Sequence, residues 1–461
     1  MEATASSAYG WALHEFEFAN FNDERLVKRA VNISARLLQN PQRSIPSAMG
    51  NWSETKATYR FLDNKKIGSD NMLSAHIEQT VNRCNNTGTI LVAQDTTTLN
   101  LSHKEIEGLG RIGMGDLQGF FTHSGLAMTT QGVPLGLLYQ KSYTRKKETQ
   151  EKDYKKKARQ LPMTEKESIK WVEVVGSIKQ ALPQTPVVVI GDRESDIYDV
   201  FKKGADNDID LLIRTQHNRR ITEDGIRLFD RAQTGSIVIH YTANVPIAKH
   251  SHKTREAKLT IRVITFSLAC DKNRKKENLR PIPVTLLDIS EENPPSDKEP
   301  IHWMLTTTLS VKTADDAIEK VQWYIYRWRI ERFHYILKTG AFNIEKLQFE
   351  TFQKFQKAIT LFSIVAYRVL WAIYESRNNP KQTAELIFSK EEIMALSFIA
   401  KRKEYTLTIE EAVKQTAKLG GYLARKGDGS PGIKTLWIGF QTLSNIVYGM
   451  MMGKKIQNTL S

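Results

Sequence analysis

The sequence predicts an α/β protein: a mixed core that carries a β-strand insertion and is flanked by helical parts at both ends. Three observations predict it. Two apolar runs, Thr89-Ile90-Leu91-Val92-Ala93-Gln94-Asp95 and Pro186-Val187-Val188-Val189-Ile190-Gly191-Asp192, read as buried strands that each end in an acid. The region from about 217 to 300 is rich in alternating β-branched residues, as in Ser236-Ile237-Val238-Ile239-His240-Tyr241 and Lys258-Leu259-Thr260-Ile261-Arg262-Val263-Ile264. Helical patterns dominate before about residue 70 and after about 378.

Residues 1–70 make the first expected domain. Arg25, Lys28, Arg29 and Arg36 recur near helical spacing, giving a basic helix face, and Arg43, Tyr59-Arg60-Phe61 and Lys65-Lys66 add cations and aromatics suited to phosphate and groove contact. A basic solvated surface is the competing reading.

Residues 71–377 make the second. After the first acid-terminated strand, Phe120 to Thr130 and Val133 to Tyr143 read as a meander. A basic loop from Arg145 to Arg159 leads into a helix expected from Glu165 to Gln180. After the second strand come a short helix near Ile197 to Lys203 and the strand Asp210 to Arg214. The β insertion at about 217–300 is closed by Pro294-Pro295, and Trp303 to Thr307 is a further strand. Thr313 is an N-cap with Asp316 three residues on, opening a long helix. Residues 378–461 alternate helical patterns with the turn Gly427-Asp428-Gly429-Ser430-Pro431-Gly432.

A formal charge of +15 and a pI near 9.5 point to a polyanionic partner, nucleic acid first, because neutralising phosphates releases condensed counterions. The long apolar run, Ile359 to Ile373, is interrupted by Arg368 and reads as a buried helix too short to span a bilayer. The N-terminus has no basic segment followed by an apolar core, so no membrane partner is expected. Cys84 and Cys270 alone make neither a disulfide framework nor a zinc site, which fits a reducing cytoplasm. No Gly-rich phosphate loop and no Ser/His/Asp arrangement is legible.

The most informative stretch runs from Tyr324 to Lys338. Read as one continuous helix at about 100° per residue, it places Tyr324, Arg327, Glu331 and Lys338 within about 60° of arc. One face then carries a hydroxyl, two cations and a carboxylate, a set that suits phosphate oxygens and a metal. A salt-bridged solvated face has the same spacing. Three acids, Asp95, Asp192 and Glu331, would repel one another if they converged, and divalent metal would resolve the conflict. In Asp192-Arg193-Glu194-Ser195-Asp196, Glu194 and Asp196 are rival ligands, and Asp196 equally suits a helix N-cap.

The order of strand-Asp95, strand-Asp192, β insertion and helix-Glu331 resembles the ribonuclease-H-like core of DDE transposases and retroviral integrases. The spacing of Tyr324, Arg327, Glu331 and Lys338 is similar to the Tyr-Arg-Glu-Lys signature of insertion-sequence transposases of the IS-four family. Asp192-Arg193-Glu194, Asn293-Pro294-Pro295 running to Trp303, Lys338-Thr339-Gly340, Val31-Asn32, Tyr59-Arg60-Phe61 and Leu419-Gly420-Gly421 extend the likeness over nearly the whole chain.

The resemblance implies that Asp95, Asp192 and Glu331 are the catalytic triad and hold two Mg²⁺ ions, with Mn²⁺ as a substitute. It implies that Tyr324, Arg327 and Lys338 hold the phosphates of the transposon end. Trp303 would stack beside the end during hairpin formation, and Arg214 would contact the end. Arg25, Arg29 and Arg60 would lie in an end-recognition domain, although Leu26 stands where the family's paired-arginine motif has its second arginine. The implied partners are double-stranded DNA, as transposon ends and target, and a second copy of the chain in a synaptic homodimer, with Leu436 to Tyr448 as a candidate interface. The implied activity is cut-and-paste transposition in a bacterial cytoplasm, at the nucleoid. A metal-dependent nuclease on the same core, or a transposase-derived DNA-binding or inhibitory protein, is the alternative.

Overall fold

A computed structural model of the chain describes residues 8–460, apart from 41–43, 86, 114, 146–160, 222–224, 247–253, 271–273, 275–276, 278, 298, 341, 403 and 426. Arg43 and most of the expected basic loop, residues 146–159, lie outside the described residues. In chain order the elements begin with α1 (Ala8–Glu15), α2 (Glu24–Gln39), α3 (Ile45–Met49), α4 (Trp52–Asp63) and α5 (Ser69–Cys84). Strands β1 (Ile90–Asn100), β2 (Gly110–Arg111), β3 (Gln118–Met128) and β4 (Pro134–Tyr143) follow, then α6 (Ile169–Ala181), β5 (Val187–Gly191), α7 (Tyr198–Asn207) and β6 (Asp210–Arg214). Next come α8 (Leu228–Gln233), β7 (Ser236–Pro246), β8 (Thr254–Leu268), β9 (Ile282–Glu292) and β10 (His302–Thr307). The chain ends with α9 (Ala314–Tyr326), α10 (Trp328–Tyr335), α11 (Phe352–Asn378), α12 (Lys390–Ile399), α13 (Ile409–Leu419) and α14 (Ile433–Leu460).

The chain divides into two compact units. One comprises Thr87–Asp95 and Lys152–Trp328. In it β1 pairs in parallel with β5, and β5 in parallel with β6. The ladder continues antiparallel through β10, β9, β8 and β7, so the expected insertion is a β meander between β6 and β10. The strand β5 is apolar and buried along its whole length, as are the segments Ile90–Ala93 of β1 and Leu211–Ile213 of β6 beside it, as strands covered on both faces require. Thr313 caps α9 in the expected way: its hydroxyl accepts from Asp316 N–H at 3.1 Å, and Asp316 accepts in return from Thr313 N–H at 3.0 Å.

The other unit comprises Met1–Asn86, Thr96–Glu151 and Arg329–Ser461. It holds the second half of β1, which neighbours β3, and the antiparallel β3–β4 pair, the expected meander. Helix α11 is its spine, burying Phe355, Ile359, Phe362, Leu370 and most of the apolar residues between them. Phe342 meets Phe362 and Trp437 edge-on at centroid distances of 5.1 and 5.2 Å.

Three expectations are corrected. Helix α11 is 27 residues long, so it outruns the apolar run Ile359–Ile373 and reaches spanning length, but 89% of its most apolar window is buried within the protein. The helix expected from Glu165 starts only at Ile169, behind a 3₁₀ turn at Met163–Glu165. The stretch Tyr324–Lys338 is not one regular helix. Arg327 N–H bonds back to Tyr324 O at 3.1 Å, a tight 3₁₀-type turn, and Ile336–Gly340 widens into a π turn. Both irregularities change the phase, so the 100° rule holds only within α10.

One buried ionic group ties α1 to α5 and β4. Glu15 is 1% exposed; its oxygens each accept from an Arg83 nitrogen at 3.1 Å, and one lies 2.5 Å from His76 Nδ1. Leu137 N–H donates to His76 Nε2 at 2.8 Å, so Nε2 carries no proton and the ring is neutral with its proton on Nδ1. Gly136 makes this approach possible. Its φ of +145° is one that side-chain-bearing residues rarely adopt, and a Cβ there would lie 2.0 Å from Thr80 Oγ1. Burial works against the Glu15 charge, yet Arg83 and His76 hold its carboxyl down at about 2.

A depressed carboxylate stabilises the fold above its usual pKa of 4.5 and loses that contribution as pH falls through about 2. Glu15→Gln is therefore expected to cost about 3 kcal/mol at pH 7, by leaving Arg83 without its counter-charge. Thermal melts of the two proteins should converge as pH falls from 5 towards 2. A gap of constant size over that range would assign the loss to shape instead of charge.

Candidate active site

Strand register brings the two aspartates level. Ala93 of β1 stands beside Ile190 of β5 in a parallel ladder, so Asp95 and Asp192, each two residues further on, lie at matching positions. β1 runs on past Asp95 to Asn100, so the expected strand end at this acid is not observed, but neighbouring strands are about 4.8 Å apart and two carboxylates at matching positions feel each other's charge. Asp192 shows it: burial first, and then the charge of Asp95, push its carboxyl up to about 6. Arg327 and the Glu194 N–H, which donates to Asp192 Oδ1 at 2.9 Å, pull the other way.

The turn after Asp192 resolves the rival acids. Gly191 must be small, because a Cβ there would lie 2.1 Å from Ser195 Oγ, which itself donates to Asp192 O at 2.7 Å. Glu194 points to solvent, its side chain 68% exposed and 3.8 Å from Lys170 Nζ. Asp196 is fully buried. Its Oδ2 accepts from the N–H groups of Gln216 and His217 at 2.7 and 3.0 Å, and Oδ1 lies 2.8 Å from Arg219 Nη1. Asp196 is thus neither the N-cap of α7, a position taken by Ile197, nor open for a metal. It braces the loop that follows β6. The sequence offered no signal for this, since a contact between residues 196 and 216–219 follows no local spacing.

On the same unit a cluster of cations and aromatic rings forms around Arg214 at the end of β6. Its guanidinium lies 5.5 Å from the Trp303 ring centroid, donates to His302 O at 3.1 Å and hydrogen-bonds the Tyr324 hydroxyl. Trp303 and Tyr324 meet edge-on at 5.8 Å. Arg327, 7% exposed, lies 5.7 Å from the Tyr324 ring and 5.6 Å from that of Trp328. Burial lowers the Arg214 pKa and raises that of Tyr324. Arg214 Nε is buried without an acceptor among the described residues, so the cluster holds a donor that an incoming anion can satisfy.

The remaining expected residues lie in the other unit. Glu331 is in the first turn of α10. Lys338, in the π turn, donates to Thr98 O at 2.7 Å and stands 3.4 Å from Glu345. Of the N-terminal arginines, Arg25 has a side chain 89% exposed and lies against its own cap residue Asp23, and Arg60 is exposed on α4. Arg29 is turned inward to Glu54 at 2.5 Å, and Arg36 donates to Met49 O, so half of the expected basic face of α2 fastens the helices to one another. The buried His123 hydrogen-bonds Thr96 at 2.8 Å, and the exposed His302 lies 2.7 Å from Asp288.

Asp95 and Asp192 fit a hard divalent cation. Both are oxygen donors, and the raised pKa of Asp192 is the electrostatic cost that a cation removes. Among the described residues, no group of three or more His, Cys, Asp or Glu side chains is gathered closely enough to hold a metal ion.

Comparison with known families divides the chain into three matched stretches. Residues 8–67 match "Transposase DNA-binding", residues 161–367 match "Transposase DDE domain", and residues 364–459 match "Transposase Tn5 dimerisation domain". Among solved structures, a cryo-EM piggyBac transposase synaptic complex with hairpin DNA is similar over 97% of this chain and 79% of that one, at 8% identity and a TM-score of 0.38. That likeness is too weak to add to the assignment. With DNA-binding, DDE and dimerisation segments in this order, the chain belongs to the Tn5-like DDE transposases, enzymes that cut and rejoin DNA with divalent metal.

Proposed function

We propose that this transposase works by cut and paste, with strand nicking, hairpin formation and opening, and joining to target DNA carried out at Asp95, Asp192 and Glu331. The observation that carries the reading is the level pair Asp95 and Asp192 beside the Arg214–Trp303–Tyr324–Arg327 cluster. The three acids would hold two Mg²⁺ ions, for which Mn²⁺ would substitute. When bound, such ions activate an attacking oxygen and stabilise a leaving one.

The chain's own residues do the gripping. Arg214, Arg327 and the Tyr324 hydroxyl offer donors to phosphate oxygens of the transposon end, and Lys338 adds a further cation. Trp303 offers a ring on which an unstacked base can rest. Residues 1–70 would recognise the end, with Arg25 and Arg60 exposed for it and Arg29 holding α2 to α4. Residues 71–377 would do the chemistry, and 378–461 would join two copies into a synaptic homodimer, with Leu436 to Tyr448 on α14 as interface. The net charge of +15 supports residence at the nucleoid in the cytoplasm.

The direct test is incubation with the DNA flanking the gene, in Mg²⁺ or Mn²⁺, with denaturing gels to separate nicked, hairpin and joined products. Glu331→Ala should bind ends normally and produce none of them; undiminished nicking would remove Glu331 from the triad. Trp303→Ala should still nick, but hairpins should fall about 5- to 160-fold, the worth of one base stack. Equal loss of nicks and hairpins would make Trp303 a packing residue. Asp192→Asn removes one of two repelling charges, so above pH 6 the metal-free variant should melt higher than the wild type while losing cleavage. A lower melting temperature would mean that the pair is not repulsive in the folded protein.

A further inference from the structure

Helix α10 presents two more arginines, Arg329 and Arg332, about 100–160° around its axis from Glu331. Neither belongs to the four-residue signature. Arg329 meets Arg377, from the end of α11, on one aromatic ring. Their guanidinium carbons lie 4.1 and 5.4 Å from the centroid of Tyr374, which is itself 5% exposed and fixed in the core. Their hydrogen-bond partners include backbone carbonyls: Arg329 Nε donates to Gly132 O at 3.4 Å and Arg377 Nη2 to Pro431 O at 3.3 Å. Arg332 is exposed and near enough, with Arg329, to lower the Arg377 pKa after burial has done so. Among the described residues neither Arg332 nor Arg377 is ion-paired with a carboxylate. Beside Arg377 a cavity of about 420 Å³ opens, lined also by Ser376, Lys414, Tyr422 and Ser430, with Glu410 as an acid.

An arginine kept for packing is ordinarily matched by an acid, because like charges brought together raise the energy of the fold. Here the fold gathers three guanidiniums, fixes two of them by stacking on Tyr374, and leaves Arg332 and Arg377, among the described residues, with forks that suit phosphate oxygens and no ion-paired carboxylate. We propose that Arg332 and Arg377, the latter held with Arg329 on Tyr374, form a phosphate-binding surface for a DNA duplex segment other than the one gripped by Arg214, Tyr324 and Arg327. The segment is either the duplex that receives the cut end or the flank beyond the cleavage point; both present the same backbone. Only that choice rests on the cut-and-paste reading.

The test uses the full chain and a duplex lacking any sequence from the flanks of its gene, with binding measured over a salt series without divalent metal. Each phosphate contact contributes about 0.9 to the slope of log K against log salt, so Arg332→Ala/Arg377→Ala should lower the slope by about 2. Melting curves check the fold. If the double variant melts early, Arg332→Gln alone, a change at an exposed side chain, should lower the slope by about 1. An unchanged slope overturns the proposal, as does a change in oligomeric state without a change in slope. A second arm follows cleavage of end duplexes and joining to a plasmid. Joining lost at least tenfold with cleavage kept assigns the surface to the receiving duplex, and both lost together assigns it to the flank. Should the wild type neither cut nor join, the cut-and-paste reading fails while the salt-slope result stands.

Discussion

Two like charges held level on adjacent parallel strands, Asp95 midway along β1 and Asp192 just past the end of β5, constrain everything around them. The β1–β5 ladder fixes the backbone of Asp95 and Asp192 at matching heights, and apolar strands leave little solvent to screen them. The protein answers with a nearby cation, Arg327, and with the Glu194 amide, yet Asp192 still stays near 6. A site that keeps this tension has been shaped for something positive that binds from outside. The buried acid in the same turn is treated in the opposite way: Asp196 Oδ2 accepts from two amides and its Oδ1 is ion-paired with Arg219.

That contrast separates function from architecture throughout the molecule. Glu15, Arg83 and His76 form a closed group in which every charge and ring nitrogen has a partner, and it joins three elements. Arg214, by contrast, keeps a buried Nε without an acceptor among the described residues, and among them neither Arg332 nor Arg377 is ion-paired with a carboxylate. Closed groups hold the fold. Groups with surplus positive charge suit phosphate.

Much of the catalytic unit was legible in the sequence because its signals are local. An apolar run that ends in an acid, a Thr–Asp capping box and alternating β-branched residues each report on themselves, and β5, α9 and the β7–β9 meander follow from them. What was not legible depends on distant partners. Arg29 looks like a free cation on α2 until Glu54 of α4 is brought to it, and Asp196 looks like a cap until the loop after β6 arrives. The break at Arg327 and the π turn at Ile336–Gly340 are also invisible to a fixed 100° step, although Tyr324, Arg327, Glu331 and Lys338 were singled out by that step. The pairing of Arg329 and Arg377 on Tyr374 joins residues that are nearly fifty apart in sequence and carries no motif.

On the proposed reading, the charge tension between Asp95 and Asp192 serves to bind a divalent cation. Mn²⁺ binding to the DNA-free protein, followed by electron paramagnetic resonance at pH 7.5 in the wild type and in Asp95→Asn, tests it most directly. The variant should bind at least tenfold more weakly, because one of two level carboxylates is gone. Equal Mn²⁺ affinity in the two proteins would contradict it.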